Sequence, residues 1–253
     1  MDYLKTKNSH ERDKYISFEP GPHKYTVNGD TDYVSVTTWI HNHFKPFDSD
    51  KIIENMMKSK KWSESEYYNM TPDEIKASWK HSTNLGTIMH DNIERFYNKC
   101  LTEKDDSIEF GYFLEFNDKH KDVLTPYRTE WMIYNEELRF SGSIDMIFED
   151  KNGDLHMMDW KRSKKIRKAA FDNASSTNPI IEHLPDSNYW HYCLQLNTYK
   201  RIIEEKYNKN IKSMHLVCLH PNNENKSYQK IKVVDLQEEI KELFEERVKQ
   251  INS

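Results

Sequence analysis

Two aspartates inside apolar segments constrain this chain more than any other feature. Asp145 lies in Phe140-Ser141-Gly142-Ser143-Ile144-Asp145-Met146-Ile147-Phe148, and Asp159 in Leu155-His156-Met157-Met158-Asp159-Trp160-Lys161. Both segments read as strands, and an unpaired carboxylate buried in a strand costs several kcal/mol or shifts its pKa. A bound cation is one common remedy. Register decides whether the two acids can share one. A two-residue turn at Asn152-Gly153 would pair Lys151 with Asp154 and set Asp145 opposite Trp160. A three-residue loop, Lys151-Asn152-Gly153 with Gly153 left-handed in a bulge, instead pairs Asp150 with Asp154. Asp145 then faces Asp159, and both carboxylates share a surface with Lys161. The bulged loop is the expectation. The bland alternative is a surface ion pair of Asp159 with Lys161 or Arg162.

Acid-x-Lys by itself carries no signal. It occurs six times, starting at Glu74, Glu149, Asp159, Glu204, Glu224 and Glu239, close to what composition alone gives. Only the copy at Asp159 ends an apolar strand.

Other residues join this hairpin. The helix Asn84–Glu94 puts Gly86, His90 and Glu94 on one face, so His90 is either an imidazole ligand or a satisfied core histidine. Glu130 is a further acid in an apolar strand, with edge exposure as its alternative. Gln195 and Tyr199, one helical turn apart, offer an amide and a phenol that could brace a catalytic lysine or form a polar seam. Residues 161–168 hold six positive charges in eight positions, including Arg162, Lys164 and Lys165 around Ser163. A phosphate backbone would need such charge; a solvated charge run is the usual alternative. Trp160, Phe171, Tyr189 and Trp190 flank it, as stacking rings for bases or as core residues.

Over the whole chain of 253 residues the net charge is -5 and mean hydropathy is -0.97, a balance that by itself argues against a nucleic-acid partner. No stretch suits a membrane span, and the start has no apolar run of a secretory signal, so no membrane partner is expected. Cys100, Cys193 and Cys218 are scattered, which points to an intracellular, reducing compartment and no iron–sulfur cluster. Lysine outnumbers arginine 29 to 8, with 21 asparagines and 4 alanines, a bias of AT-rich codon usage that would suit a viral or other AT-rich source.

The expected architecture is α/β (α+β), a central mixed sheet flanked by helices. Residues 1–14 are polar and expected to be loosely held. Short strands are expected over 15–36 with a turn at Asn28-Gly29, then helices over 37–122, one starting at a Thr71–Glu74 capping box. Strands follow at 128–134, 137–149 and 154–160. A polar loop spans 169–187, a helix 189–207, strands 213–219 and 231–234, and an amphipathic helix 235–251. Residues 1–122 would supply the N-terminal strands and a helical elaboration carrying His90, and 123–253 the core, the two forming one unit.

Taken in order, His90, Glu130, Gly142-Ser143-Ile144-Asp145, Asp159-Trp160-Lys161 and Gln195-Leu196-Asn197-Thr198-Tyr199 resemble the RecB-like branch of the PD-(D/E)XK nuclease superfamily, over about 110 residues. Tyr25, Gly29, Ser35-Val36-Thr37-Thr38 and the Gly86-Thr87…His90 segment are similar to the mitochondrial genome maintenance exonuclease and related phage exonucleases. The resemblance implies a restriction-endonuclease-like core. It implies that His90, Asp145, Asp159 and the Trp160 carbonyl hold Mg²⁺ or Mn²⁺, with Lys161 catalytic and Glu130 an acid of variable role. An imidazole ligand tilts such a site toward Mn²⁺. Gln195 and Tyr199 would match the QxxxY motif that braces the site and touches DNA, and Ser35 and Thr37 would contact a phosphate or cap a helix. Four cysteines of the cluster-bearing relatives are lacking, and no helicase motif is present, so any helicase or replication partner would be a separate chain.

The implied activity is metal-dependent cleavage of DNA, as an exonuclease on single strands or ends in replication, repair or recombination. The competing readings are an RNA endonuclease of the same superfamily and a non-catalytic DNA-binding scaffold with a decayed site. The complete His90/Asp145/Asp159/Lys161 set argues against decay.

Overall fold

The computed structural model describes residues 1–252. Helix α1 (Tyr3–Lys7) leads through a 3-10 turn to the hairpin β1 (Ile16–Glu19) and β2 (Lys24–Val27). Strand β3 (Val34–Ser35) precedes α2 (Val36–His41), α3 (Ser49–Lys58), α4 (Pro72–Tyr97) and α5 (Ile108–His120). Then come β4 (Leu124–Asn135), β5 (Phe140–Asp150), β6 (Leu155–Lys161), α6 (Asn188–Lys206), β7 (Ile211–Cys218), β8 (Gln229–Lys232) and α7 (Gln237–Ile251). This is an α/β fold around one mixed six-stranded sheet.

Strand β5 organises the sheet. Antiparallel β4 runs along one edge, while the other edge holds parallel β3 at its start and antiparallel β6 at its end. Strand β6 pairs parallel with β7 through the crossover helix α6, and β8 closes the order. The expected loop is present: Gly153 has φ +82°, its N–H donates to the Asp150 carbonyl at 3.0 Å, and Asp150 N–H donates to the Asp154 carbonyl at 3.0 Å. The ladder pairs Ile147 with Met157 and Met146 with Met158, so the next pair outward is Asp145 and Asp159.

Alternation along β5 and β6 feeds two cores. Ile147 and Met157 join Trp39 and Ile40 of α2, Leu194 and Ile202 of α6, and Leu243 of α7. Met146, Met158 and Trp160 join Met89 and Ile93 of α4 and Phe113 and Phe116 of α5 on the opposite face. Residues from both sides of position 122 thus share both cores. Local signals set the helices: Thr71 and Glu74 form the capping box, with Pro72 in the first turn. No helix is long and apolar enough to cross a membrane.

Three expectations change. The first 14 residues are fastened: Leu4 is buried with its N–H donating to Asn98 Oδ1 at 3.1 Å, and Asp13 takes Arg128 Nη1 at 2.7 Å. Strand β5 starts at Phe140 and not at 137, because Arg139 is left-handed (φ 53°) and Asn135 Oδ1 caps the Leu138 N–H. The last of the short strands over 15–36 ends at Ser35, because Ser35 caps α2 and Val36 begins it, and that strand pairs parallel with β5.

Candidate metal and phosphodiester site

The β5–β6 ladder stops at Met146 and Met158, and the Trp160 N–H donates to Asp145 Oδ2 at 2.9 Å in place of further strand pairing. On the outer edge the register sets Glu130 of β4 opposite Asp145, because Thr129 pairs with Met146 and Trp131 with Ile144. Glu130, Asp145 and Asp159 therefore form a row across three strands. Glu130 has φ +40°, a left-handed backbone rare for a residue with a side chain. Ser143 Oγ donates to its Oε2 at 2.8 Å.

Helix α4 brings His90 to this row. Its Nδ1 is 3.6 Å from Asp145 Oδ2 and 3.8 Å from Glu130 Oε1. His90, Glu130 and Asp145 offer ligand atoms within 4.8 Å of one another. Asp159 faces Lys161, whose Nζ is 2.6 Å from its Oδ2. That oxygen is buried, and the Lys161 ammonium is its ion-pair partner. One imidazole and carboxylate oxygens are a donor set that suits Mn²⁺ or Mg²⁺. The grouping differs from the expected one: Glu130 stands with His90 and Asp145, and Asp159 is engaged by Lys161. Trp160 contributes its backbone here, since its indole is buried against Phe113 and Phe116.

Crowded charge moves the titrations. Burial opposes a proton on His90, yet the Asp145 and Glu130 carboxylates outweigh it and lift the imidazole to about 9. Burial raises Asp159 to about 6, with Asp145 adding to the rise and Lys161 opposing it. Asp145 is raised as well, by burial and by Glu130. For Lys161 burial favours the neutral amine, but Asp159 and Asp145 raise its pKa and keep it an ammonium. Glu94, one turn beyond His90, is pushed to about 7 by burial and by Glu130.

Two cavities adjoin beside this row. The larger, about 590 Å³, is lined by His90, Glu94, Glu130, Asp145, Gln195 and Tyr199 among others. The N-terminal segment supplies part of its wall through Met1, Asp2 and Lys5. The smaller, about 280 Å³, holds Lys161 with Tyr192, His41 and His191. Thr37 and Gln195 line both. Carboxylates thus face one side and the lysine the other. Lys161 Nζ also lies 4.4 Å over the Tyr192 ring.

Helix α6 approaches the strands because residue 142 is glycine. A Cβ there would stand 2.7 Å from Tyr199 Cε1 and 2.9 Å from its hydroxyl. Gln195 Nε2 reaches that hydroxyl at 3.4 Å, a long contact. Ser35 caps α2, accepting the Thr38 N–H at 3.1 Å and donating to Thr38 Oγ1 at 2.8 Å, so its hydroxyl is engaged in the cap. Thr37 is exposed at the junction of the two cavities.

The basic run divides. Arg162 is held by Glu109 at 2.6 Å in a largely buried pair, and Lys164 by Glu66, so neither is a free phosphate ligand. The Ser163 carbonyl receives the Cys218 thiol at 3.0 Å, and its hydroxyl donates to the Lys165 carbonyl at 3.2 Å. Lys165 is exposed with no ion pair among the described residues. Of the flanking aromatics, Trp160 and Tyr189 are buried, Trp190 donates Nε1 to the Lys168 carbonyl at 3.0 Å, and Phe171 alone projects, 78% exposed.

His41, His191 and Asp186 were not singled out from the sequence. His191 Nε2 meets Asp186 Oδ1 at 2.9 Å, and its ring lies 5.5 Å from His41. Only the five-residue spacing of Asp186 and His191 at a helix start hinted at the pair, and His41 carried no signal.

No protein-family model matches the chain, and no curated protein matches it. Among solved structures, the crystal structure of SSO0001 is similar over 88% of this chain and 78% of that one, at 14% identity and a TM-score of 0.33. A likeness at that level carries no argument about function.

Proposed function

We propose that this protein is a metal-dependent nuclease that hydrolyses phosphodiester bonds in DNA, acting on single strands or ends. The observation that carries the reading is the register of one hairpin. It sets Asp145 opposite Asp159 and Lys161 on the same surface, with His90 3.6 Å from Asp145. Burying carboxylates in such a row is unfavourable for a purely structural element, and a divalent cation would relieve it.

His90, Asp145 and Glu130 would hold the cation on one side, and Asp159 with the Trp160 backbone on the other. When bound, a divalent ion polarises a phosphoryl oxygen and lowers the pKa of water. The remaining work falls to the chain. Lys161, kept as an ammonium by Asp159, orients the attacking water or stabilises negative charge developing on the phosphate. Tyr199 sets α6 against β5 at Gly142, and Gln195, bonded to its hydroxyl, is thereby placed where the two cavities adjoin. Thr37, at the junction, lies where a phosphate spanning both cavities would pass.

End-labelled and circular single-stranded DNA, duplex DNA and RNA incubated with Mg²⁺, Mn²⁺ or EDTA test the reading. Metal-dependent cleavage of linear single strands is expected. Lys161→Ala should lower it by about 10²–10³-fold while single-strand binding persists, with circular dichroism checking the fold. Cleavage surviving EDTA, or undiminished in Lys161→Ala, would overturn the mechanism. Preference for RNA would transfer it to ribonucleic acid.

A further inference from the structure

We propose that a single strand of nucleic acid leaves the Lys161 cavity round the N-terminal end of helix α6, over two further hollows built from the rest of the basic run and from lysines distant in sequence. This rests on the nuclease reading and names where its substrate lies beyond the cleaved bond.

The three hollows lie around the start of α6. His191 in the Lys161 cavity is hydrogen-bonded to Asp186, which lines a second hollow of about 380 Å³ together with Lys164, Lys165, Arg167 and Phe171. The Lys168 carbonyl accepts from Ser187 Oγ at 3.2 Å and Trp190 Nε1 at 3.0 Å, fastening the end of the run against α6. There Lys168 enters a third hollow of about 590 Å³, with Lys200, Lys212 and Lys232. Seven lysine and arginine side chains line the last two hollows, against the carboxylates Asp186 and Asp235.

That density of positive charge stands out on a chain of net charge -5. Part of it is spoken for: Lys164 pairs with Glu66, Lys212 with Asp154, and Lys200 more loosely with Glu204 at 3.8 Å. Lys165, Arg167, Lys168 and Lys232 make no ion pair among the described residues. They are positioned to replace the counterions of a phosphate backbone. Phe171 stands at the middle hollow, 78% exposed, followed by two left-handed residues, Asp172 (φ 54°) and Asn173 (φ 52°). An exposed ring beside a cationic groove is the arrangement that takes a stacked base, which a duplex does not offer.

His191 and Lys200, nine residues apart, lie on opposite faces of α6, and the middle hollow, lined by Asp186, Ser187 and Asn188, lies at the N-terminal end of the helix between them. A chain touching all three hollows therefore wraps round that end of the helix, which a single phosphate could not do.

The test uses the full chain in EDTA, so that binding is read without cleavage, with fluorescein-labelled oligo-dT of 4, 8, 12 and 16 nucleotides followed by fluorescence anisotropy. A triple variant, Lys168→Gln, Lys200→Gln and Lys232→Gln, should lose affinity for the longer strands, with a log K against log salt slope shallower by about 2. The 4-nucleotide strand should bind it as it binds the wild type. Phe171→Ala should weaken the longer strands about tenfold with the slope unchanged. If the wild type cleaves single strands but all these variants bind 16-mers as the wild type does, the track is overturned and the nuclease reading stands. If the triple variant loses duplex binding as strongly as single-strand binding, the occupant is a duplex and the inference fails. If the wild type neither binds nor cleaves any strand, both readings fall.

Discussion

Replacing Gly142 by alanine probes the contact that joins the two halves of the site. The added methyl would lie 2.7 Å from Tyr199 Cε1 and 2.9 Å from its hydroxyl, where carbon contacts rest at about 3.5–4.0 Å. The ring must therefore retreat by about 1 Å. Tyr199 is 4% exposed and walled in by core residues, so it has little room to do so. Overpacking of this kind costs about 1–3 kcal/mol. In a chain of this size that lowers Tm by about 3–10 °C. Thermal and urea unfolding of Gly142→Ala measure it. The cause is isolated by a cycle with Tyr199→Leu, which removes the ring atoms that collide. In the leucine background the alanine should be nearly neutral, a coupling of 1 kcal/mol or more. An alanine variant within about 0.5 kcal/mol of wild type, or one equally costly in both backgrounds, would refute the reasoning. Cleavage should fall with Gly142→Ala as well, since Gln195 moves with the ring.

Two further outcomes follow from charge. His90 sits at about 9 against an ordinary 6.5, so its proton stabilises the fold fully below pH 6.5 and the contribution is lost as pH rises through 9. Metal-free protein should thus lose about 2 kcal/mol in urea unfolding between pH 7.5 and 9.5, above the titrations of Asp159 and Glu94; a His90→Ala variant with the same slope would sink the assignment. Asp13→Ala should destabilise by about 3–5 kcal/mol, because it strands the buried Arg128 guanidinium, and Arg128→Leu with Asp13→Ala should recover part of the loss. A single variant within 1 kcal/mol of wild type would show that Asp13 is dispensable.

What was legible in the sequence was what short spacing fixes. Alternation in two strands and one left-handed glycine were enough to set Asp145 opposite Asp159, because a one-residue change in the loop would have turned every side chain over. A helical turn likewise carried His90, Gly86 and Glu94 together. The Thr71 capping box needed only four residues. Illegible features depended on partners far along the chain. Arg162 and Lys164 read as free cations, yet Glu109 and Glu66 come from helices and turns 53 and 98 residues away. Residues 1–14 read as loose because they are polar, but Asn98, Tyr127 and Arg128 supply the bonds that hold them. The left-handed turn at Glu130 has no local signature at all, since nothing in Thr129-Glu130-Trp131 favours it. Hydrophobic period predicts which face is buried; it is silent on which distant side chain meets a charge there.

The same distinction explains why the net charge of -5 misleads. A sum over the chain treats every carboxylate as equal, whereas position decides what each one does. Asp145 and Asp159 are gathered where burial raises their pKa, and the Asp145 and Glu130 carboxylates raise that of His90 against its burial. A proton on His90 and a divalent ion between His90 and Asp145 would answer one electrostatic need, so binding of the proposed ion would release the proton. Lys161 stands on the far side of Asp159, its ion-pair partner at 2.6 Å, and lines a cavity with His41 and His191. Anionic and cationic groups therefore coexist in one site: the strands hold the acids in a row, and β6 ends on the ammonium that pairs with Asp159 alone among the described residues, leaving Asp145 and Glu130 to His90. The proposed phosphodiester chemistry would use both at once, a cation held by the acids and an ammonium beside it, and a chain of either uniform sign could not supply them.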